Sequence, residues 1–103
     1  MNYLRFTLLA CALASSMAHG SSEQAWNDHR QQVLKTCLAA SQLKDAHASG
    51  KPAEFDDQVG FSALLIEGRY PQAHLKKQRG TELCLYDKRQ KRAFVTEWAT
   101  GKP

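Results

Sequence analysis

Cys37 and Cys84 constrain this chain more than any other pair of residues, because the domain that holds them is too small to rely on an apolar core alone. The third cysteine, Cys11, falls in a leading segment that carries the marks of a removable signal, which leaves an even count of two. Neither Cys37 nor Cys84 belongs to a Cys-x-x-Cys motif, so redox-active and zinc-binding roles lack the local spacing they need. One structural disulfide is the expectation. It would close a loop of about 48 residues, and the chain-entropy estimate for such a crosslink is roughly 4 kcal/mol of stabilisation. A core of about 80 residues seldom supplies more than about 3 to 5 kcal/mol unaided, so losing either cysteine should rank among the most damaging single changes.

The leading segment has the three-part order of a secretory signal. A start bearing the amino terminus and Arg5 leads into the apolar run Phe6 to Ala14, followed by small and polar residues ending at Ser16-Met17-Ala18 or Ala18-His19-Gly20. Cleavage is expected after 18 or 20, making residues 1–20 the signal and 21–103 a single small domain. The apolar run is too short to span a membrane, so no span is expected once it is removed, and the mature chain is placed in the periplasm or outside the cell. Leu8-Leu9-Ala10-Cys11 resembles the lipobox of bacterial lipoproteins, in which the cysteine is acylated. It departs from that pattern at Leu9 and in the few apolar residues before Cys11, which favours loss of Cys11 with the signal.

In the mature chain, Ser21-Ser22-Glu23-Gln24 has capping-box spacing. Trp26, Val33, Leu34, Cys37, Leu38 and Ser41 then recur at helical intervals between polar residues, which predicts an amphipathic helix over about 22–44 with Cys37 on its buried stripe and Trp26 as a core anchor. Asp45 to Ala48 extends or restarts that helix, and Ser49-Gly50-Lys51-Pro52 ends it. The period then changes. Val59 to Ile66, Leu83 to Tyr86 and Ala93 to Trp98 have strand character, the last two flanking the polar turn Asp87 to Lys91. The expected architecture is α+β: one long N-terminal helix packed on a three-stranded antiparallel meander and stapled to it at Cys84.

Charge is unevenly spread. Residues 21–67 carry four basic and seven acidic side chains, a balance of −3, whereas residues 68–103 carry nine basic and three acidic ones, a balance of +6. The excess lies in two loops, Lys76-Lys77-Gln78-Arg79 and Lys88-Arg89-Gln90-Lys91-Arg92, which a meander puts at opposite ends of one strand. Such loops point to an anionic partner, an envelope polymer or an acidic protein surface. Nucleic acid is disfavoured, since no helix-turn-helix, zinc-finger or aromatic RNA-binding signature accompanies the charge.

No catalytic motif stands out. His29, His47 and His74 are scattered, with no pair at metal-ligand spacing, no nucleophile elbow and no phosphate loop. Neither a metal nor a cofactor is expected. Asp56-Asp57 fits a turn into the first strand better than a site. Tyr70-Pro71-Gln72-Ala73-His74 gathers an aromatic, a rigid proline and an imidazole, and is the expected recognition loop.

The segments Phe55 to Gly60, Gly68 to Gln72 and Leu83 to Lys88 resemble a group of short exported bacterial proteins that pair a helix cysteine with a strand cysteine and have no assigned function. That resemblance implies a disulfide-bonded periplasmic domain and brings no catalytic residues. In size and architecture alone the chain is also similar to small periplasmic inhibitors and immunity proteins. The leading expectation is a monomeric, non-enzymatic binding or inhibitor-like module that meets its partner through Tyr70, His74, Lys76, Lys77, Arg79, Lys88, Arg89 and Arg92. The alternatives are a small hydrolase or metal-dependent enzyme using His74 with Asp56 or Asp57, and an exported effector.

Overall fold

The computed structural model describes residues 18–99. Helix α1 (Ala18–Ala40) precedes strands β1 (Lys44–Glu54), β2 (Phe61–Arg69), β3 (Arg79–Asp87) and β4 (Arg92–Glu97), with a 3-10 turn at Ala73–Leu75 between β2 and β3. The strands form one antiparallel sheet in the order β1-β2-β3-β4, and α1 packs on one face of it. The fold is therefore α+β with two layers, but the meander has four strands where the sequence pattern gave three. Of the expected signal, only the last three residues, which open α1, lie in the described range, and Cys11 lies outside it. Among the described residues no helix is long and apolar enough to cross a membrane.

The added strand is β1, formed from the residues expected to continue the helix and stop it. Helix α1 ends at Ala40 because the buried carboxylate of Glu82 on β3 takes over the next donors: Oε1 accepts from Ser41 Oγ at 2.6 Å and Oε2 from Gln42 N at 3.1 Å. Ser41 Oγ in turn accepts from Leu43 N. The chain is drawn onto the sheet at that point. Its alanine-rich composition favours helix, but a strand here pairs its backbone with β2 and lays Ala46 and Ala48 toward the core, so tertiary pairing overrides local preference. The pairing is interrupted twice, once beside the left-handed Asp45 and once around Gly50, which has φ +85°, and Pro52. Gly50 thus serves a bulge in a strand and not a helix cap.

A second correction concerns Trp26, which is 50% exposed. It shares a helical stripe with His29, Val33 and Cys37, but the sheet runs out beneath the N-terminal part of α1 and the indole overhangs it. The first expected strand also starts later, since Val59 lies exposed in the β1–β2 turn. Asp56 closes this turn as expected, its backbone carbonyl accepting from Val59 N and Gly60 N and its Oδ1 from Val59 N.

The core is small and centred on the crosslink. Val33, Cys37, Leu64, Ile66, Cys84 and Tyr86 are buried, with Leu34, Leu38, Leu43, Ala46, Ala48, Ala93 and Val95 packed around them. Cys37 and Cys84 are bonded across the two layers with Cα atoms 5.9 Å apart. Gly68 and Gly80 are cross-strand partners on β2 and β3, on the face that α1 covers. A Cβ on Gly68 would meet Lys44 O at 2.6 Å and Leu43 Cβ at 2.8 Å, and one on Gly80 would meet the Tyr70 ring at 2.8 Å. Side chains are absent here because the helix-to-strand crossover at Leu43 and Lys44 passes over Gly68, while the Tyr70 ring and the Leu43 side chain cover Gly80.

Two stability predictions follow from this packing. Cys84→Ser should lower the free energy of unfolding by about 4 kcal/mol, the estimate for a loop of this length. Gly68→Ala, which collides with backbone, should cost about 1 to 3 kcal/mol. Urea denaturation of each variant against the oxidised wild type measures both, and a Gly68→Ala protein of unchanged stability would show that the crossover can move away.

Candidate functional site

Two ends of the sheet carry the groups of interest. At the first, the β2–β3 loop is tied back on itself: Tyr70 N donates to Gln78 O, Leu75 N to Gln72 O and Gln78 N to Leu75 O. Lys76 and Lys77 both hold left-handed backbone, with φ of 51° and 61°. That conformation is uncommon for residues other than glycine, asparagine or aspartate, and the tied loop fixes it. Tyr70 lies over Gly80 and donates its hydroxyl to Glu97 Oε2 on β4. This hydrogen bond, with burial and the nearby carboxylates Glu97 and Glu82, raises the phenol pKa above its ordinary value. Tyr70 therefore braces the loop as well as lining its surface.

Beside this brace lies a cleft of about 460 Å³ lined by Lys44, Asp45, Arg69, Tyr70, Pro71, Gln72, Ala73, Lys76 and Lys77. Four cations from β1, β2 and the loop thus meet one carboxylate, Asp45, whose Oδ2 is 4.0 Å from Arg69 Nη1. Of the expected partner residues, the structure gathers Tyr70, Lys76 and Lys77 here. His74 is exposed in the 3-10 turn and does not line the cleft. Arg79 faces a neighbouring depression with Tyr70, Thr81, Glu97 and Trp98. Sequence pattern does not bring Lys44 and Arg69 together, since it places Lys44 at the end of the helix and Arg69 beyond the first strand. Only the strand pairing Lys44 to Arg69 brings them together.

At the other end of the sheet, Lys88, Arg89 and Arg92 are engaged within the molecule. Lys88 Nζ lies 3.4 Å from Glu54 Oε1 and donates to Phe55 O. Arg89 packs against Gly60 and donates to Gln58 O, and Arg92 sits over the Phe94 ring at 5.2 Å. Under α1 at this end, His29 Nε2 is 3.1 Å from both Glu54 carboxylate oxygens and 3.1 Å from Ser62 Oγ, which itself donates to Glu54 Oε1 at 2.6 Å. The grouping has the composition of a serine triad but not its wiring. The hydroxyl points to the carboxylate, one imidazole nitrogen faces both partners, and Ser62 is fully buried where it cannot attack a substrate. It is a polar clamp between helix and sheet. His29 could have been suspected from sequence, since it stands four residues before Val33 on the stripe that faces the sheet.

The pairing of His74 with Asp56 or Asp57 does not form. They flank opposite ends of β2, whose nine residues span about 30 Å. Among the described residues there is no group of three or more His, Cys, Asp or Glu side chains placed to hold a metal ion. Comparisons with protein-family models, with curated proteins and with solved structures gave no match.

Glu54 gives this clamp a pH dependence. Desolvation pushes its pKa up, but the hydrogen bonds from Ser62 and His29, the charge of His29 and the hydrogen bond from Lys88 outweigh it and hold the carboxyl below its ordinary value. A depressed carboxyl contributes stability that is full above its unfolded value, about 4.3, and lost as pH falls through the lower folded value. Wild type should therefore exceed Glu54→Gln in stability at neutral pH, and the advantage should shrink as acid titrates the group. Urea midpoints measured at neutral pH and well below the ordinary glutamate range check this. An advantage that stays constant between them would mean the charge is not what binds the clamp.

Proposed function

We propose that this chain is an exported, non-enzymatic binding module that captures an anionic partner, an envelope polymer or an acidic protein surface, at the cleft beneath the β2–β3 loop. The observation that carries the reading is the convergence of Lys44, Arg69, Lys76 and Lys77 on one cleft against a single carboxylate. Cations gathered at one surface cleft raise the concentration of anions near them and speed their capture. The tied loop removes part of the ordering cost of binding, because Lys76 and Lys77 are already set in place. The address rests on the signal pattern of residues 1–20, and a disulfide at the centre of the core suits an oxidising compartment.

Lys76→Asn/Lys77→Asn tests this cleanly, because asparagine tolerates left-handed backbone and the loop should keep its shape. Binding to immobilised lipopolysaccharide and, separately, to poly-L-glutamate should fall about five- to tenfold for the double variant at moderate salt. Wild-type binding should itself weaken with added salt as the Debye length contracts. Lys35→Gln, on the exposed side of α1, should behave as wild type. Equal binding by the double variant and the wild type to both probes would overturn the proposal.

A further inference from the structure

The face of the sheet that α1 does not cover is an ordered grid of side chains. Across its four strands the rows run Phe55, Phe61, Asp87, Arg92; then Ala53, Ala63, Leu85, Phe94; then Ser49, Leu65, Leu83, Thr96; then His47, Glu67, Thr81, Trp98; with Arg69 and Arg79 closing the far end. The middle of this face is apolar. Phe55, Leu85, Phe94 and Trp98 are 47%, 37%, 46% and 44% exposed, although each belongs to the same contiguous patch. Scattered exposed apolar residues need no explanation, but a continuous aromatic and aliphatic sheet face marks an interaction surface.

We infer that a second copy of this chain covers the face, sheet on sheet, with the two sets of strands running head to tail. The charge layout chooses both the occupant and the orientation. Along the open face of β3 the order is Arg79, Thr81, Leu83, Leu85, Asp87, a cation at one end and an anion at the other. A two-fold axis lying across the strands at Leu83 puts each Arg79 opposite the other copy's Asp87, each Phe94 opposite the other Trp98, and Leu83 against itself. A two-fold axis along the strands instead puts Arg69 of one copy over Arg79 of the other, like charge on like. Aligned packing keeps the strands of two twisted sheets within about 30° of one another, so the correspondence survives the twist. Four strands about 4.8 Å apart, of 11, 9, 9 and 6 residues and so averaging about 29 Å, give a footprint of about 550 Å² per copy. About 1,100 Å² for the pair is at the low end for a specific interface, the size of a reversible dimer.

Sedimentation velocity of the oxidised protein, from low micromolar to near-millimolar concentration, should show a reversible monomer–dimer equilibrium. Leu85→Glu should be monomeric throughout while keeping the wild-type circular dichroism spectrum, because the side chain it replaces is exposed. Arg79→Glu should weaken the dimer at least about tenfold, since two facing pairs become repulsive. The same variant would strengthen a dimer built on the other axis, where position 79 faces Arg69, and that result would overturn the head-to-tail arrangement. A wild-type protein that stays monomeric at every concentration would overturn the proposal and leave the face to a different protein.

Discussion

Everything in this molecule is arranged around the bond from Cys37 to Cys84, because a single helix has too little apolar surface to hold itself on a four-stranded sheet. Among the described residues six make up the buried apolar cluster, and the two sulfurs belong to it. The crosslink fixes the last turn of α1 over β3, and a polar clamp holds the helix on either side of it. Toward the helix C-terminus Glu82 binds Ser41 and the backbone of Gln42, and toward the N-terminal side Glu54 binds Ser62 and His29. In each clamp a serine hydroxyl meets a carboxylate at 2.6 Å. Buried or half-buried polar groups are stabilising only when their partners are present, so each clamp gives orientation to a helix that the apolar contacts alone would let slide.

The proposed cleft is a by-product of how the helix is joined to the sheet. Glu82 stops the helix, Leu43 passes over the two facing glycines, and the crossover delivers Lys44 beside Arg69. The β2–β3 loop, braced by Tyr70 against Glu97, then brings Lys76 and Lys77 to the same place. The anionic-partner reading therefore depends on a connection that carries no chemistry of its own.

The sequence showed the layers, the crosslink and the order of the last three strands because those features are written in short-range patterns: the helical spacing around Val33 and Cys37, the alternation after Phe61, and the turn residue Asp87. It hid β1, since Lys44 to Ser49 has the composition of a helix and becomes a strand only because Glu82, 41 positions beyond Ser41, ends α1. The candidate site was half legible for the same reason. Tyr70, Lys76 and Lys77 are close in sequence and close in space, while Lys44 and Arg69 meet only through pairing. Trp26 lies on the stripe that helical periodicity assigns to the sheet and is still exposed, because periodicity tells which side faces the sheet but not where the sheet ends.

The irregularity of β1 has a meaning for the sheet as a whole. An edge strand offers a row of unpaired backbone groups to which any extended chain can add, and natural sheets need some means of refusing it. Here one margin is broken beside Asp45 and again near Gly50, and Pro52 lacks an N–H to share. The opposite margin, β4, is only six residues long and carries Arg92 and Glu97 at its ends. Growth by strand addition, the route to fibrils, is obstructed at both sides, and the bulges that disguised β1 in the sequence act as terminators that keep the sheet at four strands.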